Sequence, residues 1–422
     1  MNPKAKGIFI FAALLLFLIP GICAVFSGVE RASDRARNLE ESFRNVDFAA
    51  EYPFEGADAA PAAAVESTLP ERYRAAAGRL TGFIDDCCGK YNVISPFYFY
   101  LYGKTADTLG KAYTDDAETP VIRLENGYLT YAYRYEQGTE DLSWIPELSA
   151  WLKERGIFFL PVIPADKSDG RYAVYPKGYP FGYAGQENGY LKFLDDSGIP
   201  YLDPEKTLLS QNGDFYYWFY RSDHHWNVHA GFSVASAAAE KLKTESGLPV
   251  DTGVLDRTRF DMVTYENALL GSQGKKTTHG YIPPEDFEVY YPLFDTAFSV
   301  EIPTRMIDRT GAFEDTLIKS EALTAGDYYM NSTYTAFLYG DVPLVRIHNL
   351  NCDNGTRVLM LKTSEADVVD TYLAFTVEYL DIIDPRHFGG SIKTFIERTR
   401  PDAVLMCAYP SAITENGTRD IK

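Results

Sequence analysis

The sequence predicts an α/β protein organised on a parallel sheet, and three observations carry that prediction. Strand-like and helix-like segments alternate from Pro70 onward. Two of the strand-like segments, "IFFLPVIPA" and "TRVLMLK", are nearly continuous apolar runs, the pattern of strands covered on both faces. The chain also ends in a βαβαβ series, which requires parallel strands with helices laid over them.

The elements follow in chain order. Lys4 and Lys6 precede an uncharged apolar run from Gly7 to Val29. As a helix it would rise ~35 Å, enough to cross a bilayer. Residues 1–29 are therefore expected to be an uncleaved membrane anchor, with the positive end inside and the bulk of the chain outside the cell. Residues 30–69 comprise a charged juxtamembrane helix and an Ala/Pro-rich linker. The folded domain is expected to span 70–422. Within it "ERYRAAAGRLTGFIDDCCGKY" has helical spacing, and the aromatic run "VISPFYFYLYG" reads as a strand. "TEDLSWIPELSAWLKERG" is a helix opening on an acidic turn and stopping at Gly156, followed by the buried strand "IFFLPVIPA". "NGYLKFLDDSG" is a short helix, "DFYYWFYR" a strand, and "NVHAGFSVASAAAEKLKTESG" a long Ala-rich helix closing at Gly247. The segment from about 248 to 350, aromatic and rich in Thr and Pro, reads as an irregular β-rich insertion. The closing series is "TRVLMLK", "SEADVVDTYLAFTVE", "YLDIID", "GGSIKTFIERTR" and "DAVLMCAY".

Composition removes several function classes. A net charge of −19 opposes nucleic-acid binding, which needs a basic surface. Five cysteines without a C-x-x-C pair exclude a zinc ribbon, while a Cys352–Cys407 bridge stays open. The 31 tyrosines suit either a carbohydrate-facing surface or simply aromatic strands.

Ligands of open parallel sheets gather at the carboxyl ends of strands. Two junctions of that kind carry chemistry. One is Asp223-His224-His225-Trp226, before the long helix; side chains two apart in an extended loop share a face, so Asp223 can orient His225 as a base. The alternative is that Asp223 only caps the helix. The other is Ser364, after "TRVLMLK", either a nucleophile beside helix N–H donors or an ordinary helix cap. His225 and His229 are spaced i,i+4, but Trp226 stands where the zinc-protease motif has its glutamate, so no metal and no cofactor is expected. "LLGSQGKKTTHG", with Lys275 and His279, fits neither a nucleophile elbow nor a phosphate loop and reads as a polar loop.

From "RSDHHWNVHAG" and the layout of the C-terminal segments, the chain resembles the DHHW family, which is similar to the SGNH-hydrolase-like domains of alginate and other exopolysaccharide O-acetyltransferases. The resemblance covers roughly Ser143 to the end. It implies an SGNH-like α/β domain with Ser364 as nucleophile, His225 as general base and Asp223 as its orienter, supported by Arg386, His224 and Trp226. The implied acceptor is a polysaccharide or other envelope glycan, with a separate membrane protein delivering the acetyl group. One departure stands out: the family's Lys-Asp-Ser-Phe or -Tyr is Lys362-Thr363-Ser364-Glu365 here. Two readings therefore stand, an anchored extracytoplasmic O-acetyltransferase or esterase, and an inactive homologue that binds glycan or scaffolds an envelope complex. They differ in whether Ser364, His225 and Asp223 come within hydrogen-bond reach in an open groove.

Overall fold

The computed structural model describes residues 95–112, 120–131, 142–177 and 186–408. The apolar run at 7–29, the 30–69 linker and the helix expected from Glu71 lie outside the described residues. Among the described residues no helix is long and apolar enough to cross a membrane. The chain divides into two units, Met1–Leu101 and Tyr102–Lys422. Of the first, only the opening of helix α1 (Ser95–Thr108) is described. That helix replaces the strand expected from "SPFYFYLYG": aromatic residues favour strands only as a weak prior.

The second unit is built on a seven-stranded mixed sheet in the order β3-β11-β9-β10-β8-β6-β7. β3 (Phe158–Val162), β11 (Ala403–Cys407), β9 (Arg357–Lys362) and β10 (Tyr379–Ile383) run parallel, as the closing βαβαβ pattern predicts. β8 (Leu344–Asn349), β6 (Phe298–Ile302) and β7 (Ile307–Gly311) extend this sheet antiparallel from β10. Three strands of the 248–350 region thus belong to the main sheet. The rest of that region holds the separate hairpin of β4 (Phe260–Leu269) and β5 (Glu285–Pro292). A smaller pair, β1 (Val121–Arg123) and β2 (Leu129–Tyr131), precedes β3.

Helices cover both faces, and the alternation along β9 shows why. Leu359 and Leu361 pack with α2 (Trp144–Lys153), α3 (Gln186–Ser197) and α8 (Ile392–Thr399) through Leu148, Leu152, Leu194 and Ile396. Val358 and Met360 join the larger core on the opposite side, with α5 (Val228–Lys241) and α7 (Asp367–Leu373). Short α4 (Pro204–Gln211) opens on an Asp203 cap. "DFYYWFYR" is not a strand. Asp214 caps a single 3-10 turn at Phe215–Trp218, and Phe219 then makes one antiparallel bridge with Trp226. A local side-chain cap has won over β-propensity. Cys352 and Cys407 are both free thiols, with Cys407 inside β11, so the bridge left open by the sequence does not form.

α5 and α7 touch at Gly231. A Cβ there would lie 2.4 Å from both Val368 methyls. The helices that follow the histidine loop and the Ser364 turn therefore approach as closely as a missing side chain permits. Gly231→Ala is expected to destabilise the fold by about 1–3 kcal/mol, as overpacking does. Thermal unfolding of Gly231→Ala beside Gly231→Ala/Val368→Ala checks this: the second change should restore part of the loss, and an unchanged melting temperature in the single variant would refute the contact.

Candidate active site

Strand register sets where the site forms. Val162, Cys407 and Lys362 stand level at the carboxyl ends of β3, β11 and β9, and Ile383 of β10 is level with Leu361. The loops leaving these strands carry Asp166 and Lys167, Thr363 and Ser364, and Asp384 and Arg386. The loop Arg221–Trp226, between the 3-10 turn and α5, meets this edge from outside the sheet.

Lys167 holds that loop in place. It is buried, and its ammonium donates to the carbonyls of Tyr220 (2.9 Å), Arg221 (3.5 Å) and Asp223. Burial pushes its pKa down to about 8, against the opposing pull of Asp223, Glu285 and Asp166. Glu285 closes the other side by accepting from the backbone N–H of Arg221 and Ser222, each at 2.7 Å. Trp226 is fully buried and donates from its indole nitrogen to the Ala165 carbonyl, 3.2 Å away. It fastens the loop to the segment after β3 and is not available to touch a ligand.

Asp223 and His225 pair as the two-residue spacing predicts. His225 Nδ1 lies 2.6 Å from Asp223 Oδ1, and the His225 backbone N–H donates to the same oxygen at 3.2 Å. Burial works against the Asp223 carboxylate, but His225 and His224 outweigh it and hold the group well below the usual range. An ionised carboxylate only accepts, so Nδ1 of His225 carries the proton and Nε2 keeps the lone pair. Nε2 is buried and has no hydrogen-bond partner. Burial, then the neighbouring His224, lower the His225 pKa despite Asp223, which keeps the ring neutral near pH 7. Asp223 does not cap α5; Asn227 does, accepting from Ala230 N–H at 3.2 Å.

Ser364 opens a 3-10 turn ahead of α7, and the cap position belongs to Thr363. Tyr334 joins this turn to the histidine loop. Its ring stacks on His225 with centroids 3.8 Å apart and planes 8° from parallel, and its hydroxyl donates to the Ser364 carbonyl at 2.9 Å. Ser364, His225 and Asp223 thus stand in one neighbourhood, all buried, although Nε2 is not hydrogen-bonded to the Ser364 hydroxyl. His224 is the more exposed histidine, at 29 % of its side chain.

Glu365, the departure noted in the sequence, accepts from Thr363 Oγ1 at 2.6 Å. Burial opposes its charge, but His224 and His225 outweigh that and lower its pKa. Beneath the turn, Lys362 is buried between Asp367 and Asp341 (3.2 Å). Burial pushes Asp367 up to about 7 in spite of Lys362. Arg386 grips Asp384 through two nitrogens at 3.0 and 2.7 Å and reaches Asp341 at 2.9 Å. Arg386 therefore orders the acidic residues around the turn.

Ser272, at the start of α6 (Ser272–Thr277), belongs to the cluster although its motif reads as a plain polar loop. Its backbone N–H donates to Asp223 Oδ2 at 2.7 Å, and its hydroxyl lies 2.9 Å from His224 Nδ1 and 3.1 Å from the Tyr131 hydroxyl. Gly271 is required beside it, because a Cβ would fall 2.2 Å from that of Asp223. Lys275 and His279 turn to Asn331 and Tyr329 instead. Nothing local in "GSQG" announces a contact with a loop almost fifty residues away, and Lys167, five residues past the end of β3, is likewise placed against that loop only by the fold. The ligand atoms of Asp223, His224 and His225 lie within 4.8 Å of one another, but the nearest ones are engaged in the bonds just described. His229 is not part of that group: its ring nitrogens meet Tyr290 and Glu288 (3.0 Å), so the i,i+4 pair does not assemble a metal site.

Residues 125–269 match the family model of the SGNH hydrolase-like domain of the acetyltransferase AlgX. The match includes Asp223 to Trp226 and ends before Ser364. No curated protein matches the chain. Among solved structures, a DHHW family protein from Eubacterium siraeum is similar with a TM-score of 0.51 at 18% identity, covering 73% of this chain and 96% of that one. Bacillus cereus PatB1 gives a TM-score of 0.57 at 18% identity, over 72% of this chain and 99% of its own. PatB1 is also known with a sulfonyl adduct. The likeness read from "RSDHHWNVHAG" therefore extends to the fold.

The two neighbouring histidines should titrate on opposite sides of the ordinary value near 6.5. Asp223 and Glu365 raise His224 against the effect of burial, whereas His225 is lowered. Ring-nitrogen NMR across pH 4–9 checks this. Glu365→Gln should move both midpoints down, since Glu365 favours both protonated rings; midpoints unmoved by that change would rule out the electrostatic contact.

Proposed function

We propose that the protein is a serine-type O-acetyltransferase or acetylesterase acting on a cell-surface polysaccharide. The observation that carries this reading is the Asp223–His225 pair with its unspent Nε2, held by Tyr334 against the turn that begins with Ser364. In the reaction Nε2 takes the Ser364 hydroxyl proton as Oγ attacks the acetyl carbonyl. Asp223 stabilises the imidazolium so formed. Collapse of the tetrahedral intermediate returns the proton to the departing alcohol and leaves acetyl-Ser364. A glycan hydroxyl, or water, then attacks this ester while His225 accepts its proton, and Ser364 is regenerated. Backbone N–H groups at the start of the turn are the donors suited to the developing oxyanion. The Nε2–Ser364 bond absent from the resting site is one that substrate would close, since such bonds often tighten only with substrate bound. In this proposal residues 7–29 anchor the chain with the domain outside the cell, and a separate membrane protein supplies the acetyl group.

A second reading, an inactive homologue that binds glycan or scaffolds an envelope complex, is favoured by the burial of Asp223, His225 and Ser364 without an Nε2–Ser364 bond, and by Glu365. A carboxylate beside the nucleophile opposes the negative charge that acyl transfer builds up. Its bond to Thr363 and its pull toward the histidines limit that effect without removing it.

Hydrolysis of p-nitrophenyl acetate by the full-length chain in detergent separates the two. Ser364→Ala and His225→Ala should each lower kcat by ~10³-fold or more, in line with the loss of a triad member. A wild type no faster than these variants would exclude the enzyme reading for small esters. Phenylmethylsulfonyl fluoride should also add to the peptide containing Ser364, and mass spectrometry that finds the label elsewhere would reassign the nucleophile. As pH falls, kcat/KM should decline with a midpoint below 6.5, because protonating His225 removes the base and its folded pKa is lowered. A midpoint above 6.5 would point to His224 instead.

A further inference from the structure

A cavity of about 320 Å3 opens on the side of α5, lined by Tyr217, Trp218, His229, Ser233, Arg257 and Tyr290 among others, and it shares no lining residue with the Asp223–His225–Ser364 cluster. From its architecture we infer that it is a second binding site, for a neutral pyranose unit of a glycan. His229, Phe232, Ser233 and Ser236 line it at i, i+3, i+4 and i+7, one continuous face of α5. Gly231, which meets Val368, falls on another side of the helix by the same count.

The aromatic lining is fixed before any ligand arrives. Tyr217 is 41 % exposed although both His229 and Trp218 pack against its ring. It sits on the 3-10 turn capped by Asp214, its carbonyl accepts from Asn227 Nδ2 at 2.7 Å, and its ring stacks on His229 with centroids 5.1 Å apart. Trp218 stands edge-on to it at 4.9 Å, with its indole N–H donated to the Asn212 carbonyl. His229 is itself pinned by the Tyr290 hydroxyl and Glu288. Arg257 lies 3.8 Å above the Tyr290 ring and donates to the Phe260 carbonyl. An exposed, immobilised tyrosine offers a flat apolar surface at little further entropic cost. Sugars present a C–H face that stacks on such a ring, and their rim hydroxyls bond to groups such as Gln211, Ser233 and Ser236 around the wall. The chain's net charge of −19 opposes a polyanionic glycan, which narrows the ligand to uncharged sugars.

The proposal rests on the glycan-directed reading above but not on catalysis. Tyr217 precedes Asp223 by six residues and His229 follows His225 by four, so the cavity is built from the segments that flank the histidine loop in sequence. Saturation-transfer NMR and calorimetric titration of the full-length chain, in a detergent lacking a sugar headgroup, would use cellohexaose, N-acetylchitohexaose and oligogalacturonate as probes. One of the two neutral oligosaccharides should bind. Tyr217→Ala should weaken it about tenfold or more, as loss of a central aromatic anchor does, while Tyr217→Phe retains it. Ser364→Ala should bind as wild type does, and Tyr217→Ala should retain any turnover of p-nitrophenyl acetate. Binding of neither neutral probe, a preference for oligogalacturonate, or affinity unchanged in Tyr217→Ala would each overturn the site. Glycan binding without ester turnover would overturn only the catalytic reading, so the two failures are distinguishable.

Discussion

A carboxylate taken out of water must have its lone pairs used, or its burial destabilises the fold by several kcal/mol. Asp223 is 2 % exposed and meets that demand from two directions. One carboxylate oxygen accepts from His225 twice and the other from the start of α6, while the residue's backbone carbonyl separately accepts from Lys167 in the loop after β3. Gly271 allows the approach that makes the α6 bond possible. The satisfaction of this one charge therefore fixes the tautomer of His225, the path of the loop and the position of Ser272 together. An alanine at 223 would leave the N–H donors of His225 and Ser272 without their acceptor, so the loop geometry and the imidazole electrostatics have a common origin.

The side of the site that carries Ser364 is organised by the opposite device, a chain of alternating charges. Asp367, Lys362, Asp341, Arg386 and Asp384 follow one another around the turn that carries Ser364. No single pair in such a chain is strong evidence of stability. Its effect is positional: Lys362 ends β9, Arg386 follows β10, and α7 begins at Asp367, so three elements are held around one turn. Burial opposes the charge of Asp341, but Lys362, Arg386 and then His225 draw its pKa down, so this chain reaches the histidine loop as well.

Much of this was legible in the sequence, for identifiable reasons. The parallel strands were readable because burial on both faces leaves continuous apolar runs, as in "RVLMLK" and "AVLMC". The Asp223–His225 contact was readable because it spans two residues and needs no tertiary information. The aromatic segments misled: "SPFYFYLYG" is helical and "FYYW" is a single turn, since ring content says little about backbone conformation when capping and packing decide it. The three antiparallel strands of the 248–350 region lacked a signal strong enough to place them in the main sheet. Ser272, Tyr334 and Lys167 were missed because their roles are long-range; each acts on a residue some thirty to fifty-six positions away.

The order in which the site's parts occur along the chain has a further consequence. Asp223 and His225 leave the ribosome more than a hundred residues ahead of Ser364, and of the four parallel strands only β3 precedes them. β9, β10 and β11, which supply three of the four strand ends at the site, come last. The early half can form its hairpins and α5, but one side of α5, including Gly231 and its neighbours, stays uncovered until α7 arrives. Long-range pairings of this kind form slowly and leave apolar surface exposed in the interval. Assembly of the candidate site is thereby tied to completion of the sheet, so a chain interrupted before β9 carries the histidine loop and not the turn of Ser364.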